Sequence, residues 1–288
     1  MAAAVKSVRL PDGAVVPALG LGTWRLGEGA ATHARDVATV RQALDVGYRL
    51  IDTAEMYGEG GAEQVVGEAV RAALRAGTVA REALCIVSKV YPHNAGRQGA
   101  VQACERSLKR LGLDHIDLYL LHWRGSVPLA QTVEAFEQLK AQGKIARWGV
   151  SNFDVADLDE LLALPEGAAC ATNQVYYCLG ERGLEFDLLP WQRGHAMPLM
   201  AYSPLGIGAL AADASLARLA APLGLSAAQL ALAWVLRQPD VIAIPKAARP
   251  EHLRDNLAAA GTTLDAATRA ALDALFPPPA RKQPLAMN

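Results

Sequence analysis

The chain has 288 residues, of which 52% are hydrophobic and 20% charged, a composition that is typical of a folded globular protein and excludes a disordered one. Its 28 Lys and Arg residues are balanced by 29 Asp and Glu residues without a basic run, so nucleic acid is not expected as a partner. The first ten residues carry Lys6 and Arg9 and lack the apolar core of a signal peptide, and we expect a cytoplasmic protein.

The first predicted element is a β-hairpin. Strand-like runs at 7–10 and 14–16 flank Pro11, Asp12 and Gly13, which favour a turn. From Leu19 onward, short apolar runs alternate with amphipathic segments, which is the pattern of βα units that form a parallel sheet. The eight strands predicted in this part of the chain are 19–21, 48–51, 84–88, 116–121, 147–150, 171–174, 199–202 and 241–244.

The segments between these strands carry apolar residues at helical spacing. Val66, Ala69, Val70 and Ala73, for example, form one stripe for burial on a predicted helix. Repeats of about thirty residues, eight in number, account for the length that a (β/α)8 TIM barrel requires. The sequence therefore predicts an α/β protein in which residues 1–288 form a single barrel domain, with an N-terminal β-hairpin and a short C-terminal tail.

A doubly wound dinucleotide-binding fold is the weaker alternative. Such a fold needs a Gly-x-Gly-x-x-Gly/Ala turn after its first strand and a carboxylate about 20 residues further on. The segment 20–25 lacks the third small residue. A partial match at 206–211 falls in the seventh unit and is followed too closely by Asp213, so we interpret it as a chance match.

Membrane and metal-binding classes find little support in the sequence. The most apolar helical stretch, 225–236, is shorter than the about 20 residues that a membrane span needs. Histidine and cysteine residues show no zinc-binding spacing, and there is no phosphate-binding P-loop motif, so no metal site is predicted. The scattered cysteines, without a Cys-x-x-Cys pair, are predicted to be buried reduced thiols: Cys85, Cys104, Cys170 and Cys178.

Polar residues end three consecutive predicted strands, and barrel enzymes use the carboxyl ends of their strands for function. Asp52, Lys89 and His122 are separated by one βα unit each, so we expect them in one layer on neighbouring strands about 4.8 Å apart. Tyr57 would join them from the loop that follows Asp52. A buried Lys89 needs a counter-charge, and Asp52 supplies it.

This group of side chains could deliver a proton to an oxygen atom. An ammonium about 4 Å from a phenol, at an effective dielectric constant near 20, favours the phenolate by roughly 4 kcal/mol, so we expect the pKa of Tyr57 to fall toward neutrality. A neutral His122 would hold a carbonyl oxygen against the Tyr57 hydroxyl. Reduction of that carbonyl also requires a hydride, which no side chain provides, so a nicotinamide cofactor is implied. Purely structural roles for each residue are the alternative interpretation.

Motifs over nearly the whole chain occur in the order of one known family. They are GLGTW (20–24), GYRLIDTAEMYG (47–58), SK (88–89), DLYLLHW (117–123), GVSNF (149–153), NQ (173–174), AYSPL (201–205) and IPK (244–246). In these motifs the sequence resembles the aldo-keto reductase family, and most of all its bacterial members that reduce methylglyoxal and related 2-oxoaldehydes. The resemblance implies a carbonyl reductase whose catalytic tetrad is Asp52, Tyr57, Lys89 and His122, and we expect a monomer.

The resemblance also implies an extended NADPH across the barrel mouth. Ser151, Asn152 and Gln174 would form hydrogen bonds to its carboxamide. Tyr202 would stack on the nicotinamide, and the loop 203–208 would cover the pyrophosphate. Ala247 follows Lys246 where NADPH-preferring members have Ser, and His252 stands where they have Arg, so NADH remains a possible cofactor. The predicted cofactor-binding residues are Thr23, Ser151, Asn152, Gln174, Tyr202, Ser203, Leu205, Lys246, Arg249, Asp255 and Asn256.

Substrate choice is expected to depend on the loops and the tail. Trp24, Tyr91 and Trp123 are candidates to line an apolar pocket. The short tail after Phe276 is predicted to leave this pocket open, which favours small or varied aldehydes. Two functions from other classes remain open: a non-catalytic barrel that senses nicotinamide nucleotide, and a lyase or isomerase that uses Lys89 as a Schiff-base amine.

Overall fold

The chain begins with two short antiparallel strands in the computed structural model, which describes residues 6–288. Strand β1 (Ser7–Arg9) pairs with β2 (Val15–Pro17), and Val8 lies opposite Val16. Gly13 occupies the turn with a φ of 88°, a conformation that favours glycine. The predicted hairpin is therefore confirmed. Residues 1–5, which form half of the segment considered as a signal peptide, lie outside the described residues.

Within residues 6–288, eight parallel strands form one sheet, in which each strand pairs with the next one along the chain. Bridges from Leu19 to Ala243 and from Gly22 to Lys246 join the first strand to the last, so the sheet closes on itself. The predicted (β/α)8 barrel is confirmed. Its strands are β3 (Leu21–Gly22), β4 (Leu50–Asp52), β5 (Cys85–Val90), β6 (Ile116–Leu121), β7 (Ile145–Ser151), β8 (Asn173–Tyr176), β9 (Leu199–Tyr202) and β10 (Val241–Ile244).

Helices follow each barrel strand and cover the outside of the sheet. The predicted stripe on the second helix is fully buried, from Val66 to Ala73. Gly67 on that helix allows a close approach, because a Cβ there would lie 2.3 Å from the Leu111 carbonyl oxygen. Within the described range the helices are α1 (Ala30–Val46), α2 (Gly61–Arg75), α3 (Arg97–Leu111), α4 (Leu129–Ala141), α5 (Val155–Leu162), α6 (Leu188–Gly194), α7 (Ala214–Ala220), α8 (Ala227–Leu236), α9 (Pro250–Ala260) and α10 (Ala266–Leu275).

The doubly wound alternative is wrong. A closed parallel sheet has no topological switch point, where such folds bind their nucleotide. The partial glycine motif after β9 forms two short 3-10 turns, Gly206–Gly208 and Leu210–Ala212, instead of the start of a long helix. The α7 helix that follows has only seven residues.

The core residues lie inside the barrel and between the sheet and its helices. All four cysteines are buried free thiols, as predicted. Helix α8 is apolar on every side and almost entirely buried, which explains its hydrophobicity. Between residues 6 and 288 no single helix has the length and hydropathy of a membrane span. The bent pair Ala214–Leu223 and Ala227–Leu236 reaches that hydropathy only when both helices are counted together.

The strand register corrects one expectation about the strand ends. Asp52 pairs with Val87 instead of Lys89, and Lys89 pairs with Leu120, two residues before His122. The three polar residues therefore step forward by two positions on each successive strand and do not share one layer. Barrel strands are tilted and staggered, so a two-residue step moves to the next inward-facing side chain and still lets neighbouring side chains meet.

Candidate active site

Lys89 lies at the centre of the polar group at the carboxyl end of the barrel. Its side chain is fully buried, and its ammonium has three acceptors. Nζ is 2.8 Å from Asp52 Oδ2, 2.9 Å from the Thr53 carbonyl oxygen and 3.1 Å from the Tyr57 hydroxyl. An ammonium has three N–H donors, so all of them are used. The structure thus brings Asp52, Lys89 and Tyr57 together as one hydrogen-bonded unit.

The turn that follows β4 places Tyr57 over Lys89. It is a 3-10 turn, Tyr57–Gly60, and Lys89 Nζ lies 4.7 Å from the centre of the Tyr57 ring. Gly58 has a φ of 58°, and a Cβ there would lie 2.7 Å from the Gly27 carbonyl oxygen. Position 58 therefore requires glycine for two reasons: the positive φ, and the lack of space for a Cβ atom. This close contact with the loop after β3 fixes one side of the turn that carries Tyr57.

The pKa of Tyr57 contradicts the expectation from sequence. Burial, and then the charge of Asp52, raise the pKa of the Tyr57 phenol well above 10, so the predicted fall toward neutrality is wrong. Burial also lowers the pKa of Lys89, although Asp52 opposes this shift. The sequence argument counted one cation beside the phenol. The phenol is itself buried, so a phenolate would lose its hydration, and the buried pair places a carboxylate next to that cation; both effects disfavour the phenolate.

His122 lies next to Tyr57 as an uncharged ring. The ring centroids of the two residues are 5.7 Å apart in an edge-on arrangement, and His122 is 7% exposed. Burial and the nearby Lys89 charge lower the pKa of His122 well below its ordinary value, so the imidazole is neutral at pH 7. Its Nδ1 is buried without a hydrogen-bond partner among the described residues. A buried N–H without an acceptor is rare, so we assign the proton to Nε2.

The neutral state of His122 predicts an acid-dependent loss of stability. The unfolded chain binds a proton at His122 below about pH 6.5, whereas the folded chain does not, so the free energy of unfolding falls as the pH drops. For this one group the slope is up to about 1.4 kcal/mol per pH unit. In urea titrations, wild type should lose stability relative to His122→Gln between pH 6.5 and 5. A difference that stays constant over this range would contradict the assignment.

The residues predicted to bind the nicotinamide carboxamide lie beside the tetrad. Gln174 donates from Nε2 to Asp52 Oδ1 at 2.8 Å, and Asn152 donates to the His122 carbonyl oxygen at 3.1 Å. Ser151 is buried and accepts from Asn152 at 3.1 Å. The Tyr202 hydroxyl donates to Asn152 Oδ1 at 2.9 Å. These contacts connect Gln174 of β8 directly to Asp52, and they connect Ser151 of β7 and Tyr202 of β9 to His122 through Asn152.

The remaining predicted cofactor residues lie around the same end of the barrel. Thr23 is buried and donates its hydroxyl to the Asp52 carbonyl oxygen at 2.9 Å. Ser203 has a φ of 46° and begins the loop that continues through Leu205, and a Cβ at Gly208 in this loop would meet open space. The loop therefore offers backbone that a ligand could approach closely.

The predicted adenosine site has cationic groups at the start of α9. Lys246 and Arg249 are exposed, and no side chain in the described part of the molecule caps the N-terminus of the helix. Its first N–H groups are available to an anion, so this donor set fits a phosphate. Arg249 is 2.5 Å from His252 and 3.3 Å from Glu251. Of the predicted adenine-contacting pair, the side chain of Asp255 is exposed and that of Asn256 is buried.

The three aromatic residues predicted to line the substrate pocket are partly buried. The Tyr91 ring lies edge-on to Trp123 with centroids 5.9 Å apart, and Trp123 lies 4.9 Å from His122. Tyr91 and Trp123 therefore form a continuous aromatic wall that leads to His122. Trp24 is covered by the guanidinium of Arg25, 4.5 Å above its ring.

The C-terminal tail reaches the mouth of the barrel. Lys282 is 3.0 Å from Asp187, and Asn288 contacts the side chains of Tyr176 and Tyr202. These contacts do not involve Trp24, Tyr91 or Trp123, so the expectation that a short tail leaves the substrate pocket open stays a prediction. The length of the tail follows from the sequence, but its path depends on tertiary contacts.

Two buried glutamates near the site were missed by the sequence analysis. Glu55 is 6% exposed and Glu63 is fully buried. Glu63 accepts hydrogen bonds at 2.5 Å from Ser88, the neighbour of Lys89, and from Arg110. Glu63 stands next to apolar residues on the buried side of α2, and this break in the stripe was the available signal. Glu55 lies in a loop, where no periodic pattern could have predicted its burial.

Comparison with known proteins gives a consistent result. The model of the aldo/keto reductase family matches residues 18–276. The methylglyoxal reductase YeaE of Escherichia coli (strain K12) is 50% identical over 287 residues, which cover 98% of this chain and 99% of that protein. The glyoxal reductase of Bacillus subtilis (strain 168) is 37% identical over 251 residues, or 87% of this chain and 85% of that one.

Solved structures show the same similarity in three dimensions. The crystal structure of an aldo-keto reductase from Klebsiella pneumoniae in complex with NADPH superimposes with a TM-score of 0.93. It is 49% identical, and the match covers 99% of this chain and 100% of that one. The thermostable aldo-keto reductase Tm1743 has a TM-score of 0.85 at 38% identity, with 93% of this chain and 99% of that one covered.

Proposed function

The chain belongs to the aldo/keto reductase family, and on this basis we propose that it reduces small 2-oxoaldehydes such as methylglyoxal with NADPH. The observation that carries this proposal is the Lys89 ammonium, which lies 3.1 Å from the Tyr57 hydroxyl and 2.8 Å from Asp52. The relative with 50% identity is a methylglyoxal reductase, and a structural neighbour with 49% identity was solved with NADPH. The first relative supports methylglyoxal as the substrate, and the second supports NADPH as the cofactor.

The side chains at the barrel mouth would divide the work of a carbonyl reduction. NADPH supplies a hydride when it is bound. His122 would donate its Nε2–H to the carbonyl oxygen and so hold that oxygen near the Tyr57 hydroxyl. Tyr57 would then donate its proton to this oxygen, and Lys89 would stabilise the phenolate that remains. Asp52 balances the charge of Lys89 inside the barrel.

A raised pKa is compatible with this role of Tyr57. Addition of a hydride to a carbonyl produces an alkoxide, which is a strong base and needs a proton as it forms. The raised pKa of the Tyr57 phenol keeps the proton on its oxygen at neutral pH. Tyr57 is therefore fully protonated before the reaction and can protonate the developing alkoxide.

The residues around the mouth fit an extended dinucleotide. Asn152, Ser151 and Gln174 would bind the carboxamide, with Tyr202 and Thr23 next to them. The loop that begins at Ser203 and Leu205 would cover the pyrophosphate. At the far end, Lys246 and Arg249 would bind a 2′-phosphate together with the uncapped N-terminus of α9, beside Asp255 and Asn256.

Two assays separate this proposal from its alternatives. The purified protein should oxidise NADPH in the presence of methylglyoxal, which is followed at the nicotinamide absorbance band. Binding of NADPH without turnover over a broad panel of aldehydes and ketones would favour the sensor. Borohydride trapping of a substrate on Lys89 would favour the Schiff-base enzyme. That alternative is disfavoured by geometry, because Lys89 is fully buried and its amine is already engaged by Asp52, Thr53 and Tyr57.

The cations at the start of α9 predict the cofactor preference. Lys246→Ala should raise KM for NADPH about tenfold and change KM for NADH by less than about twofold, because only NADPH carries the 2′-phosphate. The measurement is kcat/KM for both nucleotides with one aldehyde. Lys109→Ala, at an exposed lysine of α3, is the matched control and should change neither value. Equal losses for both nucleotides in Lys246→Ala would contradict this assignment.

A further inference from the structure

The turn that carries Tyr57 is tied to the strand that carries Lys89. Beyond the end of β4, the Thr53 N–H donates to the Val87 carbonyl oxygen at 2.8 Å. Two residues later, the Glu55 N–H donates to the Lys89 carbonyl oxygen at 3.3 Å. The main chain thus continues the pairing of β4 with β5 as far as Lys89, where the turn bends away and the backbone contacts end.

The side chain of Glu55 extends this connection beyond the backbone. Its Oε1 accepts from the Tyr91 N–H at 2.7 Å and from Asn94 Nδ2 at 3.1 Å. The Arg106 guanidinium lies 3.8 Å from Oε2. Because Glu55 is 6% exposed, these bonds are shielded from competition with water. Backbone pairing between the two segments ends at Lys89, so the Glu55 carboxylate takes the place of a backbone carbonyl as the acceptor for the Tyr91 N–H.

The spacing of these residues encloses the proposed proton donor and its cation. Glu55 stands two residues before Tyr57, and Tyr91 stands two residues after Lys89. The Glu55–Tyr91 bond therefore closes a loop of covalent and hydrogen bonds that contains both Tyr57 and Lys89. The Glu55–Tyr91 bond is thus one of the restraints that link the two polar groups.

A second connection exists in the same turn but is more exposed. The Tyr91 hydroxyl donates to Glu59 Oε1 at 2.9 Å, and Glu59 is exposed to solvent. Water competes for such a bond, so its effect on the position of Tyr57 is smaller. Burial thus identifies Glu55 as the side chain that restrains the turn.

We propose that Glu55 is a positioning residue that sets the distance between the Tyr57 hydroxyl and the Lys89 ammonium. It touches neither of the reacting atoms and acts through the Tyr91 N–H. This inference rests on the proposed function, because it assigns a role in the same reaction. A displacement of about 1 Å at a reacting group is enough to lower a rate about a hundredfold, so loss of this restraint should lower kcat.

The first test compares two substitutions of Glu55 in the full-length protein. Glu55→Ala should lower kcat for methylglyoxal at least tenfold, increase the solvent deuterium isotope effect on kcat, and leave Kd for NADPH within about twofold of wild type. Glu55→Gln keeps an oxygen acceptor for the Tyr91 N–H and should retain kcat within about threefold. Equal losses in both variants, or a parallel loss of NADPH affinity, would overturn the proposal.

Asp117→Ala is the matched structural control. Asp117 also accepts a main-chain N–H of β5, from Ile86 at 2.8 Å, but at the opposite end of the barrel. This variant is expected to lose stability and to keep kcat within about twofold below its unfolding temperature. A kcat for Glu55→Ala that matches the Asp117→Ala value would overturn the proposal.

A second pair of variants removes the donor instead of the acceptor. Tyr91→Ala keeps the main-chain N–H, and Tyr91→Pro deletes it. The φ of Tyr91 is −59°, which proline adopts without strain. Both variants lose the same pocket-lining side chain, so their ratio reports on the N–H alone. The proline variant should have a kcat at least fivefold lower, and equal kcat values would overturn the proposal even if Glu55→Ala fails to fold. Wild-type turnover in the same assay tests the proposed function separately.

Discussion

Tyr57→Phe is expected to abolish carbonyl reduction while leaving the affinity for NADPH close to that of wild type. The substitution removes only the hydroxyl that receives a hydrogen bond from Lys89 at 3.1 Å, and the ring remains next to His122. General acid catalysis contributes about 10²-fold to 10⁴-fold to a rate, so a loss of at least a hundredfold in kcat is expected. The loss should be in kcat instead of KM, because the missing proton transfer occurs only in the chemical step.

Measurement of NADPH binding makes this experiment specific. Kd from nucleotide fluorescence should stay within about threefold, because none of the residues assigned to the nucleotide changes. Tyr119→Phe is the matched control, since the Tyr119 hydroxyl is buried within the barrel wall without a partner in the described structure. Removing that hydroxyl should leave kcat unchanged. Turnover of Tyr57→Phe within a few fold of wild type would refute the assignment of Tyr57 as the proton donor.

Lys89→Met is expected to impair the reaction almost as severely and to destabilise the fold as well. The unbranched methionine side chain occupies the space of the lysine chain but leaves Asp52 buried without its cation. Loss of one partner from a buried ion pair costs about 3–5 kcal/mol, so the midpoint of urea unfolding should fall clearly. Reduction should fall at least a hundredfold, since nothing then stabilises the phenolate that forms on Tyr57.

A double variant separates the two effects of Lys89→Met. Adding Asp52→Asn removes the buried charge, keeps an oxygen acceptor for Gln174, and should recover much of the lost stability without recovering turnover. Recovery of both would mean that the single variant failed only because it unfolds, which contradicts a role in the reaction.

The protonation of Lys89 predicts the alkaline side of the pH profile. Burial lowers its pKa below the ordinary value of 10.5, so the ammonium loses its proton as the pH rises through that lowered pKa. The kcat of wild type should therefore decline at alkaline pH.

The order of the strands and the identity of the polar group at their ends follow from the sequence. Strand and helix formation depend on the hydrophobic pattern of short segments, which is local information, and a closed parallel barrel puts every strand end on one face. Asp52, Lys89 and His122 are therefore grouped by the order and spacing of the strands alone. Tyr57 joins this group because it follows Asp52 by only five residues.

The tertiary structure alone decided how these groups interact. The raised pKa of Tyr57 depends on burial and on the distance from Asp52, neither of which is encoded in spacing. The two-residue steps between Asp52, Lys89 and His122 arise from strand tilt, which is a property of the closed sheet. The contacts of Glu55 with Tyr91 are set by the packing of one loop against another, 36 residues apart. Patterns of single residues predict elements, whereas charge, burial and loop packing depend on through-space distances that only the folded chain defines.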